Sequence, residues 1–364
     1  MPQPARPVST IVAPLSFSGD GDAPRLERRG GRRRLVQRGD TALVVQDLAP
    51  PATAAVRFPA PWPRRYGSCA VSPAGDLAVF AGLHALRAVE RSGKVRWEVR
   101  HPCWAGCAGH DSFTEYADGR DHQYAGGGSA GFSADGSLLW AHVRGPLADD
   151  RGRGADEWLV IDPEDGTVRA RTATHTAAVG SDHVPHPDPR QMGLTIGEGQ
   201  DGAPLRWGRW DGRTLAVDTF GEADRVLLAV SPTGKRLLTV THDQDVLAVH
   251  RATDGAVEAA LGAETLPPHP ALASGQRDSF DDEGARAFFD YEGGFLDEDT
   301  VVVGTVESDE EFGAGRHWIV DATRMRLTDR LVHPFEVSGP PRALGDGTWY
   351  TVSSGDNALH LWSL

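Results

Sequence analysis

Apolar and polar residues alternate in short runs along most of the chain, and glycine or proline breaks those runs every few positions. No stretch sustains the 3.6-residue period of an amphipathic helix, so the pattern predicts an all-β protein. One phrase recurs: a small apolar run, Ser-x-x-Gly, then a second apolar run. It appears as CAVSPAGDLAVFAG (69–82), AGFSADGSLLWAHV (130–143) and LAVSPTGKRLLTVT (228–241). Each copy predicts two antiparallel strands joined by a tight turn in which glycine supplies a positive φ.

A second hairpin follows each phrase. The pairs are ALRAVER with KVRWEVR, WLVIDP with VRARTAT across Glu164-Asp165-Gly166, and VLAVHRA with VEAALG across Thr253-Asp254-Gly255. Four strands therefore make one unit. The turn glycines Gly75, Gly136 and Gly234 lie 61 and 98 residues apart, and Gly347 lies another 113 along. Each of the two long gaps holds one degraded copy, at 182–220 and 293–331. A further unit fits in PLSFSGDG (14–21), RRLVQRG and TALVVQDL. Seven four-stranded antiparallel units predict a single β-propeller domain over 1–364, since closing the ring removes exposed sheet edges. The blades fall at about 11–60, 66–100, 127–173, 180–220, 225–262, 288–332 and 340–364. Six blades is the alternative, if the N-terminal strands only complete the last sheet.

The C-terminal phrase Ser353-Ser354-Gly355-Asp356-Asn357-Ala358-Leu359-His360-Leu361-Trp362 resembles the third-strand motif of a WD repeat. The resemblance implies the propeller fold and a scaffolding role. It also implies that Asp356 ties a hairpin turn and that a blade-opening histidine joins the same hydrogen-bond network, with His333 and His175 at the expected places. Other blades depart from it: Asp162, Asp321 and Arg251 follow their third strands without a Trp, and Gln244 occupies the position of Asp356.

Such a blade needs about 40–45 residues, which leaves four insertions: 101–127, 146–157, 263–288 and 307–315. With strands ordered outward from the channel, two join a fourth strand to the next first strand and two join second to third strands. Antiparallel pleating puts all four at one mouth, in two groups facing each other over the channel. Long connections without structure of their own are uncommon unless they serve a function, the alternative being surface loops lengthened by drift.

Composition narrows the partner. The chain has 364 residues and a formal charge of −14, with 37 Lys and Arg against 51 Asp and Glu. That field repels phosphate backbones and anionic lipid, so neither nucleic acid nor membrane is expected. Arg28, Arg29, Arg32, Arg33 and Arg34 form a local basic run. Three cysteines, no apolar stretch of 18 residues and a proline-broken N-terminus lead to the expectation of a cytoplasmic protein.

The insertions carry the candidate chemistry. In HPCWAGCAGHDS, His101, Cys103, Cys107 and His110 supply two nitrogen and two sulfur donors that suit tetrahedral zinc, with Asp111 or His122 able to replace one. Structural or solvated roles for the same residues are the plainer reading. Cys103 or Cys107 beside His110 also has the makings of an activated thiolate, without a third member. RDSFDDEGARAFFDYEGG (277–294) brings Asp278, Asp281, Asp282 and Glu283 beside Phe280, Phe288, Phe289 and Tyr291, and Glu307, Asp309, Glu310 and Glu311 add charge. His183, His186 and Asp188 form a further cluster, and His242-Asp243 another. No phosphate loop, HExxH helix or Gly-x-Ser-x-Gly elbow occurs.

The leading expectation is a binding module without a cofactor that recognises a protein, peptide or small cationic ligand on an acidic, loop-covered face. Trp104, Asp111, Tyr116, His122 and Tyr124 would line the first group of loops, and Asp278, Phe280, Asp281, Asp282 and Glu310 the second. The alternative is a lyase or hydrolase with zinc, another divalent metal or a His/Asp cluster at the mouth.

Overall fold

A computed structural model describes residues 2–17, 19, 21–49, 54–104, 126–145, 147, 155–220, 224–267, 287–307, 315–337 and 339–364. The strands form seven four-stranded antiparallel blades of a β-propeller. Before the first complete blade come β1 (Gln3–Pro4) and β2 (Arg6–Val12). Blade 1 is β3 (Arg25–Arg29), β4 (Arg32–Arg38), β5 (Ala42–Asp47) and β6 (Val56–Pro59). Blade 2 is β7 (Gly67–Val71), β8 (Leu77–Gly82), β9 (Ala85–Glu90) and β10 (Val95–Arg100). Blade 3 is β11 (Ser129–Phe132), β12 (Leu139–Arg144), β13 (Asp156–Ile161) and β14 (Val168–Ala173). Blade 4 is β15 (Gly180–Pro185), β16 (Gln191–Gly197), β17 (Leu205–Trp210) and β18 (Leu215–Thr219). These four blades make one compact unit, 14–220.

The other unit joins residues 1–13 to 221–364. Blade 5 is β19 (Arg225–Val230), β20 (Arg236–Thr241), β21 (Val246–Arg251) and β22 (Val257–Gly262). Blade 6 is β23 (Ala287–Phe295), β24 (Thr300–Glu307), β25 (Arg316–Asp321) and β26 (Arg326–Val332). Blade 7 is β27 (Arg342–Ala343), β28 (Thr348–Ser353) and β29 (Ala358–Ser363), with β2 as its outer strand. The N-terminal strand thus completes the last sheet while seven blades remain. β1 adds a fifth, parallel strand to the outside of blade 6, with Pro4 opposite Val332.

The recurring phrase folds for a local reason. Ser72, Ser133 and Ser231 each accept the turn glycine's N–H at the backbone carbonyl, at 2.8, 3.0 and 2.8 Å. Their hydroxyls accept a second N–H from the start of the next strand, from Leu77, Leu138 and Arg236 at 3.1, 3.0 and 3.2 Å. Gly75, Gly136 and Gly234 hold φ of 68°, 77° and 77°, a region closed to most side chains. Apolar positions on both faces of each blade then pack against the neighbouring sheet, as Leu139, Ala141 and Val143 do against Val79, Leu86 and Ala88. In each unit the first strands touch one another, β11 meeting β7 and β15, and β23 meeting β19 and β27.

Blade 1 starts later than the repeat spacing suggests. Among the described residues of 14–21 the only β pairing is an isolated bridge, Gly21 to Gly39. The side-chain amide of Gln37 replaces a strand there, accepting from Leu15 N at 2.8 Å and donating to Leu15 O at 2.9 Å. The first strand is β3, joined to β4 by Gly30-Gly31 with φ of 55° and 77°. The basic run therefore flanks a hairpin tip. Arg34 points inward from it and donates to Ser72 O at 2.8 Å and Pro73 O at 2.9 Å.

The long connections leave from one end of their sheets. Residues 101–128 join β10 to β11 and 145–155 join β12 to β13, at the end where first strands begin. In the other unit, 263–286 join β22 to β23 and 308–315 join β24 to β25, again at that end. Among the described residues no helix is long and apolar enough to cross a membrane.

Candidate functional site

In the four-blade unit the stem of the first long connection is sealed. Trp104 is 1% exposed and its ring lies 5.4 Å from that of His142, so it fills core rather than open surface. His101 is buried beside it, with its Nδ1 2.8 Å from Pro102 O, and burial pushes its pKa down to about 4. Cys103 is a half-buried free thiol. Cys107, His110, Asp111, Tyr116, His122 and Tyr124 lie outside the described residues. Among those described, no three His, Cys, Asp or Glu side chains are grouped as a metal site.

The His183 cluster serves packing. Trp158 Nε1 donates to His183 Nε2 at 2.9 Å, so in the neutral ring Nδ1 donates to Ser129 Oγ at 2.8 Å. His186 Nδ1 accepts the Asp188 amide at 2.9 Å, and its ring stands edge-on to Trp207. Burial holds His142 and His183 neutral, with pKa values near 3.

The corresponding edge of the three-blade unit presents charge instead. On β23 the register jumps from Phe289 opposite Thr305 to Gly293 opposite Val303. Asp290, Tyr291 and Glu292 therefore oppose the single residue Gly304, a bulge of the kind that re-aims side chains. Gly304 is needed: a Cβ there would lie 2.9 Å from Pro341 Cδ and 3.3 Å from Asp290 Oδ2. Glu292 takes a 2.6 Å ion pair from Arg342 of β27. Burial, and then the Glu292 charge, push Asp290 up to about 6, against the pull of the Tyr291 and Glu292 amides and Arg342.

Tyr291 is 41% exposed, and its hydroxyl donates to His242 O. Asp243, beside His242, is almost fully exposed. An open aromatic ring thus turns towards blade 5 and Asp243, while its neighbours Asp290 and Glu292 turn towards Pro341 and Arg342 of blade 7. The acidic-aromatic composition of that stretch pointed to Tyr291. Asp290, Glu292 and Arg342 were missed, and the available signal was Asp-x-Glu followed by Gly-Gly inside a strand. Asp278, Phe280, Asp281, Asp282 and Glu310 lie outside the described residues.

The WD-like hydrogen bonds extend further than the motif. Trp362 Nε1 donates to Thr351 Oγ1 at 3.0 Å, and in blade 6 Trp318 Nε1 donates to Thr305 Oγ1 at 3.5 Å. In blade 5 His250 takes the Trp position, with Nε2 2.8 Å from Thr239 Oγ1. The expected link from Asp356 to a blade-opening histidine is not made. Asp356 Oδ2 lies 3.2 Å from His360 Nε2 on its own hairpin, whereas His333 stacks edge-on against Trp362 and its Nε2 has no partner among the described residues. His175, in the other expected place, is exposed with φ 55°.

No protein-family model and no curated protein matches the sequence. Solved structures do match the fold. The β-propeller domain of Cps50 (Swd1) from Myceliophteria thermophila is 12% identical, with a TM-score of 0.55 over 99% of this chain and 100% of that one. U3-55K is 11% identical, with a TM-score of 0.52 over 95% of this chain and 100% of that one. Together with the seven sheets and the Trp362–Thr351 bond, these likenesses show that the chain has the fold of a WD-repeat-like β-propeller.

Proposed function

We propose that this protein is a cofactor-free binding module that grips a basic segment of a protein or peptide partner at the loop-bearing edge of blades 5 and 6. The carrying observation is Tyr291, an exposed ring on a bulged first strand that turns to blade 5, where Asp243 is the carboxylate acting on its hydroxyl. A guanidinium or ammonium group gains from an aromatic face and from a carboxylate beside it. The net charge of −14 steers such a segment inward. That total already includes the acidic residues of 277–283 and 307–311.

The enzyme reading has less behind it. His183 and His186 already engage Ser129, Trp158 and the Asp188 amide, which leaves that cluster without a poised base.

The test is fluorescence anisotropy with a fluorescein-labelled Gly-Ser peptide carrying one Arg-Leu pair. Binding should weaken at least tenfold in Tyr291→Ser and with rising salt, and vanish when Glu replaces the peptide's Arg. Equal binding by Tyr291→Ser and the parent protein would overturn the proposal.

A further inference from the structure

Tyr291 is held in place by bonds that its own hairpin does not supply. Between Phe289 and Gly293 the β23–β24 ladder lapses, because Asp290, Tyr291 and Glu292 oppose Gly304 alone. Blade 5 holds the strand there instead. Phe289 N donates to Gln244 O at 2.9 Å, Gln244 Nε2 donates back to Phe289 O at 2.8 Å, and the Tyr291 hydroxyl donates to His242 O. The Phe289 ring is fully buried in one core with Leu247, Val303 and Trp318. The Tyr291 ring is therefore fixed at both ends, by its strand and by its hydroxyl.

Gln244 is an unusual residue for its turn. The 241–246 turn repeats the hydrogen bonds of the Ser-x-x-Gly turns: Thr241 O accepts the Gln244 N–H at 2.9 Å, and Thr241 Oγ1 accepts the amides of Asp245 and Val246, both at 3.1 Å. Where Gly75, Gly136 and Gly234 stand in those turns, Gln244 holds a φ of 59°. A Cβ is strained at that φ, and glycine would serve the turn alone. What glycine lacks is a carboxamide that donates to Phe289 O. At the edge of the other unit the incoming stem makes only the backbone half of this contact, Trp104 N to Leu83 O at 3.1 Å. Leucine has no donor to return.

A fixed ring bears on which cation it takes. The planar guanidinium of arginine stacks on an aromatic face while its N–H groups fork to a carboxylate, whereas the ammonium of lysine is a compact, strongly hydrated charge. A ring already ordered offers that stacking without an entropy cost of its own. Asp243 supplies the carboxylate. It is almost fully exposed and acts on the Tyr291 phenol, and His242 Nδ1 lies 3.9 Å from its Oδ1, outside hydrogen-bond range.

We infer that the Tyr291 edge selects arginine over lysine, and that Gln244 is the positioning residue behind the choice. The inference rests on the proposed reading of this edge and adds the class of cation and the residue that fixes the ring.

The experiment compares the Arg-Leu probe with an otherwise identical Lys-Leu probe by fluorescence anisotropy. The parent protein should bind Arg-Leu about fivefold tighter. Gln244→Gly suits the turn but releases Phe289 O, and it should bring the two affinities together. Gln244→Met, of similar length but without a donor, should do the same, and a thermal melt checks that both variants keep the fold. A residue acting on stability alone would lower both affinities in step and leave their ratio. An unchanged ratio in the two variants would overturn the role of Gln244, and equal binding of both probes by the parent protein would overturn the selectivity. In either case, binding lost in Tyr291→Ser would still uphold the edge itself. Failure of the parent protein to bind either probe would overturn both readings.

Discussion

The two loop-bearing edges share a topology and differ in chemistry. At the stems of 101–128 and 145–155, Trp104, His142, Trp158 and His183 are buried rings, uncharged at neutral pH, and Arg144 and Asp156 close on each other at 2.7 Å. At the stem of 263–286 stand Asp290, Tyr291 and Glu292, with Arg342 pairing Glu292. Water access explains the contrast. A carboxylate excluded from water protonates or finds a cation, and Asp290 does part of each. An imidazole excluded from water simply stays neutral and packs as an aromatic ring. One edge therefore closes around packed rings, and the other leaves Tyr291 open to solvent.

The largest expected effect tests the first half of that contrast. Trp158 is fully buried, its ring lies 5.3 Å from that of Trp140, and its N–H occupies His183 Nε2. Trp158→Ala should cost about 3–5 kcal/mol in urea denaturation, from the cavity and the stranded imidazole. Tyr291→Ala, on the other edge, should cost about 0.5 kcal/mol or less. Equal losses would erase the distinction between a sealed and a presenting edge.

Acid should act next most strongly, and on the sealed edge. His142 has no partner for either ring nitrogen among the described residues, and burial holds its pKa at about 3, against 6.5 for an exposed ring. The unfolded chain then binds the proton more readily than the folded one. Stability is complete above pH 6.5 and falls as pH drops towards 3, by about 2 kcal/mol at pH 5 for such a group. His142→Leu should flatten the stability profile between pH 7 and 5 by about that amount. A parallel profile in the variant would mean that the native imidazole takes the proton freely.

The blades were legible because their signals are local. Ser72, Ser133 and Ser231 each satisfy two amides of their own turn, and the paired glycine needs its φ whatever the neighbours do. The start of blade 1 was not legible, because Gln37 supplies from a distant strand the hydrogen bonds that 14–21 seemed to need. Blade 5 hid its WD-like bond because histidine can meet Thr239 where tryptophan is expected. The candidate site was half legible. Residues 277–294 announced an acidic-aromatic edge, but only the three-against-one bulge opposite Gly304 turns Asp290 and Glu292 towards Arg342 and Pro341. Register of that kind depends on the partner strand, which no local pattern encodes.

The smallest expected effect sits on the presenting edge and has the opposite sign. Asp290 titrates near 6 in the folded chain, against 3.8 for a free carboxyl. The folded state therefore binds this proton more tightly than the unfolded state. Its contribution favours the fold below pH 3.8 and is lost as pH rises through 6. Asp290→Asn removes the ionised form and should stabilise the protein at pH 7.5 by about 1 kcal/mol. The full shift would carry about 3 kcal/mol, but part of the carboxyl reaches water, which screens it. At pH 4 the two proteins should melt together. Urea denaturation at both pH values checks this, and the peptide assay gives the counterpart, because the same substitution should weaken binding of the Arg-Leu probe at pH 7.5. A variant that gains stability and loses binding shows an edge held charged against its own folding preference. One that gains stability and keeps its binding would confine the contact to Tyr291 and Asp243.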